Sequence, residues 1–221
     1  NLENSNKLKS IKNPYILLNI IEENVADDEN LLREKLIRNI NRKIIDQENE
    51  KGKLFKVVDW FLNNSSEEEG ITHLALQKAL YFVQAWNYIF NGKWMFAEEC
   101  EAWVHGAVYR KVFDEFKSFK YSRLPSLNID IGFSKEELEV LEFVKENYID
   151  VYSAKTLEKI CHLEEPFKNT RGTLEKSVRS ESVISKKSIA NYYEKISKKY
   201  HISNENKDNI RNYLNDLLWT F

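Results

Sequence analysis

The chain has 221 residues, of which 42% are hydrophobic, so it can bury the core of one large domain or of a main domain with an appendage. Six glycines and three prolines are too few for the many tight turns of a strand-rich fold, so the composition favours helices. The net charge of -2 excludes a global attraction to nucleic acid or anionic membranes, and no apolar run is long enough to span a bilayer.

The N-terminal quarter of the chain is predicted to form helices. Pro14 suits a first helical turn, and residues 27–30 form a polar break. Apolar residues at mostly three- and four-residue steps then predict an amphipathic helix that ends near Gly52: Leu31, Leu32, Leu36, Ile37, Ile40, Ile44 and Ile45. Residues 1–52 are therefore predicted to be a helical appendage, and residues 53–221 the main domain with its C-terminal helices.

A central helix is predicted to be the spine of the main domain. A short buried helix over 54–62 and a polar, acidic loop over 63–70 precede it. Thr72 is a suitable N-cap, and the helix should run to Gly92. Its residues are apolar on almost every side, as is typical of a helix in the centre of a domain.

The next segment has a weaker pattern. Residues 93–106 are expected to contain a short extended piece, followed by a helix from about Ala107 to Phe116. Residues 121–132 contain Pro125 and several Asn and Ser residues, which indicate a loop or a short hairpin.

Serine N-caps organise the C-terminal part. Ser134 and Glu137 have the spacing of a capping box, and residues 170–183 are polar and loop-like. The caps predict four helices, over 134–147, 153–162, 185–200 and 203–219. The predicted fold class is therefore mainly α, a compact helical domain with at most two or three short β-strands and an N-terminal helical appendage.

Local charge is less even than the total. Residues 22–69 carry 8 Lys/Arg and 13 Asp/Glu, whereas residues 168–200 carry 9 Lys/Arg and 3 Asp/Glu. Two solvated helical faces explain this distribution, and so does a basic surface for an acidic partner or nucleic acid. The basic stretch has no helix-turn-helix signature and no interleaved aromatic residues, so nucleic-acid binding is not predicted.

The cysteines do not indicate a metal site. Cys100 and Cys161 belong to no CxxC pair, and His162 is adjacent to Cys161 rather than at chelating spacing. We therefore predict no metal and no cofactor. The reduced cysteines and the absence of a signal-peptide pattern in residues 1–4 predict a cytoplasmic protein without a membrane partner.

One acidic stretch is a candidate acid–base group. Glu98, Glu99 and Glu101 lie close to His105, and histidine is the usual proton carrier at neutral pH. The alternatives are that Glu101, Trp103 and His105 alternate along an extended segment and fix its packing, or that they contact a partner. No nucleophile with a dedicated base is evident, so the chain is not predicted to be an enzyme.

Lys78 and three tryptophans are further candidates. Lys78 interrupts an apolar helix, so we expect either a salt bridge to Glu98 or Glu101 or exposure at the helix edge. Three tryptophans are candidate interface anchors or ordinary core residues, and the one in the turn after Gly92 is expected to be the most exposed: Trp86, Trp94 and Trp103.

Three blocks in series carry a resemblance. The first is Leu76-Gln77-Lys78-Ala79-Leu80-Tyr81-Phe82, the second is Gly92-Lys93-Trp94-Met95-Phe96, and the third is Glu101-Ala102-Trp103-Val104-His105-Gly106-Ala107-Val108-Tyr109. Together with the segments 157–167 and 184–193, they resemble the Panacea domain of SocA-like, phage-associated antitoxins over about residues 54–196. The chain has Ala107 and Phe167 where the family has Pro and Trp.

The resemblance implies a protein-binding function. It implies an antitoxin of a toxin–antitoxin pair, which neutralises a toxin encoded next to it by direct binding. The signature residues are candidate partner contacts: Lys78, Tyr81, Trp86, Trp94, Glu101, Trp103, His105, Gly106 and Tyr109. Trp103 is expected in the core, Glu101 near Lys78 and Gly106 at a turn, so the toxin could instead contact residues 1–52 or the turn at Trp94. A proteolysis adaptor and an enzyme that uses Glu101 and His105 are the alternative functions, and homo-oligomerisation and DNA autoregulation stay open.

Overall fold

The computed structural model describes residues 13–24, 30–65, 70–127 and 131–219. This part of the chain is mainly helical with one small three-stranded sheet, so the predicted fold class is confirmed. The helices are α1 (Pro14–Asn24), α2 (Asn30–Lys51), α3 (Lys53–Asn64), α4 (His73–Asn91), α5 (Arg110–Phe116), α6 (Lys135–Val144), α7 (Ala154–Leu163), α8 (Glu165–Arg171), α9 (Lys186–Tyr200) and α10 (Ile210–Trp219). The strands are β1 (Cys100–Trp103), β2 (Gly106–Val108) and β3 (Val183–Ile184).

The chain divides into two compact units. The first consists of residues 1–71 and 122–131, and the second of residues 72–121 and 132–221. This division places α3 with the N-terminal helices, whereas the sequence predicts a domain boundary after residue 52. The predicted boundary stays a prediction.

In the first unit, α1 begins as predicted at Pro14, and the side chain of Asn13 accepts hydrogen bonds from the backbone at the helix start. The hydroxyl of Tyr15 donates to the carboxylate of Asp59 on α3 at 2.6 Å, and both residues are buried. The helix α2 ends at Gly52, whose φ of 81° favours glycine. Positions 27–29 of the predicted break lie outside the described residues, as do the side chains of Leu31, Leu32, Ile44 and Ile45.

The second unit is built around α4, as the sequence predicts. The hydroxyl of Thr72 caps the backbone N–H of Ala75, and Gly92 ends the helix in a left-handed conformation with φ 66°. Helices α5, α6, α7 and α9 and strand β2 all pack against α4. Its buried residues occupy almost the whole circumference, which is why it forms the centre of the core.

The sheet corrects one predicted helix boundary. Strand β1 lies in the middle, antiparallel to both β2 and β3, with Ala102 opposite Ala107 and Cys100 opposite Ile184. The helix predicted from Ala107 begins at Arg110, because residues 106–108 pair with β1 instead. Strands β1 and β2 form a hairpin joined by Val104 and His105, and these two residues are not the Asn-Gly or Asp-Gly pair that usually marks such a turn in a sequence.

The C-terminal helices follow their predicted caps, except for the last. Ser134 and Glu137 form the capping box, and a π-helical turn, Lys145–Ile149, extends α6 to just beyond the predicted end. The helix predicted to begin at Ser203 instead starts at Ile210, after a 3₁₀ turn at Lys207–Asn209. The hydroxyl of Ser203 is used locally, because it donates to the side chain of Glu205 at 2.6 Å.

None of the helices in the described ranges combines the length and the apolar character needed to cross a membrane.

Candidate functional site

Glu101 is held by β1 and by its neighbours. Its carboxylate accepts two hydrogen bonds from Arg110, at 2.9 and 2.6 Å, and one from the indole of Trp103 at 2.7 Å. Burial opposes ionisation of Glu101, but the hydrogen bonds from Arg110 and Trp103 prevail and lower its pKa. Arg110 also pairs with Glu181 at 3.2 Å. Glu101 is therefore the acceptor of a fixed ionic cluster.

The other members of the candidate acid–base group have different partners. Glu98 pairs with Lys111 at 3.0 Å, and Nδ1 of His105 lies 3.0 Å from the carboxylate of Glu158 on α7. Glu99 is exposed. The structure thus distributes these side chains among separate ion pairs and does not bring them together as an acid–base group.

The environment of Lys78 differs from both of the environments predicted for it. Its side chain is fully buried, and Nζ donates to the carbonyl oxygen of Ala107 at 2.8 Å. The predicted salt bridge to Glu98 or Glu101 is wrong, because those carboxylates pair with Lys111 and Arg110. Exposure at the helix edge is also wrong. Burial lowers the pKa of Lys78, since the charged ammonium is poorly solvated there.

Gly106 is the residue that gives Lys78 its space. Gly106 was predicted at a turn and is the first residue of β2, directly after the turn at Val104 and His105. It has a φ of 97°, and a Cβ atom there would come within 2.6 Å of Cε and 2.7 Å of Nζ of Lys78. The thiol of Cys161 on α7 accepts from the N–H of Ala107 at 3.3 Å. Burial raises the pKa of Cys161 to about 12, so the thiol stays protonated at neutral pH.

Polar residues of α4 hold the backbone that follows the helix. The side-chain amide of Gln77 accepts from the N–H of Tyr109 at 2.7 Å. That of Gln84 accepts from Met95 N–H at 2.8 Å and donates to the carbonyl of Phe96 at 2.8 Å. Helix α4 therefore binds the backbone of the second and third sequence blocks. The sequence analysis missed Gln77 and Gln84 as anchors, and their place on a helix that is otherwise buried was the available signal.

The three tryptophans have different environments. Trp86 is buried, and its indole donates to the hydroxyl of Tyr148 at 2.9 Å. Trp94 is half-buried and stacks on Tyr88 with ring centroids 4.6 Å apart. Trp103 was expected in the core but is half-buried, with the guanidinium of Arg110 5.2 Å from its ring centroid. Trp94 and Trp103 thus both have part of their surface exposed.

Glu164 is a buried carboxylate that the sequence analysis missed. It accepts hydrogen bonds from Tyr81 at 2.8 Å, Tyr193 at 2.9 Å and Tyr213 at 2.7 Å. Burial raises its pKa from 4.5 to about 7, although the three hydroxyls favour the ionised form. The candidate residue Tyr81 therefore has a structural partner, and Tyr109 is similarly buried.

Arg171 organises the loop that leads to β3. Its buried guanidinium donates to the carbonyl of Ala102 in β1 at 3.1 Å. It also donates to the carbonyls of Glu175 at 2.8 Å, Lys176 at 3.4 Å and Val178 at 2.7 Å. One buried side chain thus joins the loop to the sheet, and no charged acceptor takes part in these four bonds.

A surface groove lies beside this loop, and we call it the α7–α8 groove. It has a volume of about 680 Å³ and is bordered by α7, α8, Val104 in the turn after β1 and residues 172–176. The described side chains that carry charge in its lining are Lys155, Glu158, Lys159, Lys168, Arg171 and Lys176. His162 also lines it and stacks on Phe167 with ring centroids 4.6 Å apart.

A family comparison identifies the central segment. Residues 76–168 match the family described as antitoxin SocA-like, Panacea domain, which confirms the resemblance drawn from the sequence blocks over these residues. The predicted extension of the resemblance to residues 54–75 and 169–196 lies outside the match and stays a prediction. No curated protein and no solved structure matches the chain.

Proposed function

Because residues 76–168 carry an antitoxin SocA-like Panacea domain, we propose that the chain neutralises a cognate toxin, encoded next to it, by direct protein binding. The family match is the observation that carries this proposal. The candidate partner is a protein, and the proposal requires no cofactor and no nucleic acid.

The geometry of the signature residues supports binding rather than catalysis. The carboxylates of Glu98 and Glu101 and the imidazole of His105 each pair with a different partner, so they do not converge on a common reacting position. At the same time, His105 is exposed, and Trp94 and Trp103 are half-buried. Tryptophan is among the residues most enriched at the energetically dominant positions of protein interfaces.

Co-expression with the product of the adjacent open reading frame tests the proposal. We expect the two proteins to co-purify as a stable stoichiometric complex, and growth inhibition by the adjacent product to be relieved only when this chain is present. A growth assay combined with size-exclusion chromatography measures both outcomes. Rescue without complex formation, with a toxin lifetime that depends on a protease, would instead identify a proteolysis adaptor.

Substitution of the candidate acid–base residues separates binding from catalysis. We expect the His105→Ala and Glu101→Ala variants to remain folded. Each variant should rescue growth to an extent that follows the amount of toxin it binds. If such a variant binds the toxin like the wild-type chain but no longer rescues growth, the binding account fails and an enzymatic function is favoured.

A further inference from the structure

We propose that the α7–α8 groove is the docking site for an acidic segment of the partner protein with interspersed apolar side chains. This inference rests on the proposed function, since it takes the partner to be the toxin. It concerns a surface that shares only Val104 with the Glu101–Gly106 block. The basic character of this surface agrees with the excess of Lys and Arg in residues 168–200.

The first observation is the charge of the groove. Lys155, Lys159, Lys168 and Lys176 are exposed and line it, whereas Glu158 is the one carboxylate among its described lining residues. Glu158 is already paired, with Lys155 at 2.7 Å and with His105 at 3.0 Å. The groove therefore has an excess of positive charge in a chain whose net charge is -2.

The second observation is the buried charge of Arg171. Its guanidinium is only 8% exposed and donates to backbone carbonyls, which satisfy its N–H groups without neutralising it. Its position is fixed, so it adds a preorganised positive charge to the groove. A carboxylate that binds nearby gains from this charge without ordering a long side chain.

The third observation is that the lining also contains apolar and neutral groups. Val104, Leu163 and Leu174 line the groove, and Leu174 is 44% exposed. Burial lowers the pKa of His162 to about 4, so its imidazole is neutral at neutral pH. Its Nε2 atom is buried and has no hydrogen-bond partner within the described ranges. A segment that supplied apolar side chains would cover these exposed apolar groups.

These features favour a protein segment over nucleic acid. A groove for single-stranded nucleic acid combines cations with exposed aromatic faces on which bases stack, but Phe167 is only 5% exposed and is covered by the ring of His162. Recognition of a duplex instead requires an element that enters one of its grooves, and the sequence has no helix-turn-helix signature. The exposed apolar surface next to the lysines comes from aliphatic side chains. An acidic segment with leucine-like residues matches both the charge and this surface.

A peptide-binding experiment on the full chain tests the groove directly. The probe is a short fluorescein-labelled peptide of alternating glutamate and leucine, compared with a glutamine–leucine version and with short duplex DNA. We expect the acidic peptide to bind about tenfold more tightly than the glutamine version at low salt, as measured by fluorescence anisotropy. No binding, or equal binding of the two peptides, would overturn the proposal, as would tighter binding of the duplex.

Charge-reversal variants locate the binding surface. We expect Lys159→Glu/Lys176→Glu to weaken binding of the acidic peptide by about tenfold or more. The matched control is Lys135→Glu/Lys187→Glu, which makes the same charge change at exposed positions in the first turns of α6 and α9, where carboxylates are tolerated. The control should bind within about twofold of the wild-type chain. Equal weakening in both variants would show only an effect of net charge and would overturn the proposal.

The apolar contacts of the groove are tested by comparing two leucine or valine substitutions to serine, one inside the groove and one outside it. We expect Leu174→Ser to weaken the same peptide by several-fold, whereas Val151→Ser, which changes an exposed valine outside the groove lining, should not. Equal effects of the two substitutions would contradict the assignment of apolar contacts to the groove.

The same variants distinguish this inference from the proposed function. If the adjacent gene product binds the wild-type chain and the Lys159→Glu/Lys176→Glu variant equally well, the groove proposal fails and the antitoxin proposal stands. If the acidic peptide binds through the groove but the adjacent product does not bind at all, the antitoxin proposal fails instead.

Discussion

At the scale of single residues, the contact between Gly106 and Lys78 sets a steric limit. A Cβ atom at residue 106 would overlap the end of a buried lysine side chain, and the φ of 97° is unfavourable for any other residue. We expect Gly106→Ala to lower the free energy of unfolding by about 3 kcal/mol or more, as measured by urea denaturation.

Gly92→Ala is the matched control for this substitution. Gly92 also has a positive φ, of 66°, but nothing lies within 4 Å of a Cβ atom there, so only the backbone cost of about 1 kcal/mol should remain. In a double-mutant cycle, Lys78→Ala should relieve part of the cost of Gly106→Ala. Equal costs at residues 92 and 106, or strict additivity in the cycle, would contradict the steric explanation.

Glu164 gives the molecule a pH-dependent stability. Its pKa is about 7 when folded and about 4.5 when unfolded, so the folded state holds the proton more tightly between these values. Its contribution is fully present below pH 4.5 and is lost as the pH rises through about 7. We expect the wild-type chain to lose on the order of 3 kcal/mol relative to Glu164→Gln over this range.

Urea denaturation at a series of pH values measures this effect as the difference between the two proteins. His73 and His162, whose pKa values burial lowers to about 4, titrate in both proteins and therefore cancel in the difference. Glu165→Gln, at the exposed neighbouring position, is the control for the change of a carboxylate to an amide. If the free energy of unfolding changes with pH in the same way for the wild-type chain and for Glu164→Gln, the pKa of the Glu164 carboxyl is not raised in the folded protein.

The sequence predicts the hydrogen bonds of residues whose partners are adjacent in the chain. It does not predict those of residues whose partners are far away in the chain. Thr72, Ser134 and Ser153 cap the helices that the sequence assigns to them, because an N-cap depends on three or four adjacent residues. The acceptor of Lys78 is a backbone carbonyl 29 residues away, which no side-chain pattern reveals. Glu164 was missed because its three donors lie in separate parts of the sequence: Tyr81, Tyr193 and Tyr213.

At the scale of elements, the same limit applies to strands and helices. The spine helix α4 could be predicted almost to the residue, because both its cap and its C-terminal glycine are local signals. Strand β2 was missed, because it has only three residues and the two-residue turn before it, Val104-His105, lacks the usual hairpin signal. The sequence also did not reveal that Gln77 and Lys78 hold the backbone at residues 107–109.

The loop between α8 and β3 depends on Arg171. We expect Arg171→Lys to keep the charge but lose most of the four hydrogen bonds to backbone carbonyls, at a cost of about 2 kcal/mol, because an ammonium cannot reproduce the guanidinium geometry. Hydrogen exchange followed by mass spectrometry should show faster exchange in residues 172–182.

The control for the loop is Arg179→Lys. Arg179 is exposed and pairs with Glu181, so its substitution should change stability by about 0.5 kcal/mol or less and leave the exchange of the loop unchanged. Similar protection of the loop in Arg171→Lys and in the wild-type chain would mean that Arg171 does not organise it.

At the scale of the whole molecule, the division into two units can be tested against the domain boundary predicted after residue 52. Deletion of residues 1–52 would remove the buried side chains of Tyr15 and Leu18 and the hydroxyl that donates to Asp59. We expect the truncated chain to expose apolar surface, as measured by dye binding, and to be cleaved by protease in residues 53–71. Tyr15→Phe, which removes only the hydroxyl, should cost about 1–3 kcal/mol and leave the protein folded. A truncated chain as resistant to protease as the full chain would support a domain boundary after residue 52.

The discontinuous first unit also has a consequence for protein synthesis. Residues 122–131 bond to it through the N–H groups of Leu124 and Leu127, which donate to the carbonyls of Ile71 and Leu62. The ribosome makes these residues only after α4, the β1–β2 hairpin and α5. The N-terminal unit therefore cannot be completed in the usual order of folding from the N-terminus, domain by domain. Its backbone bonds to Leu124 and Leu127 must wait until the ribosome has passed these two residues.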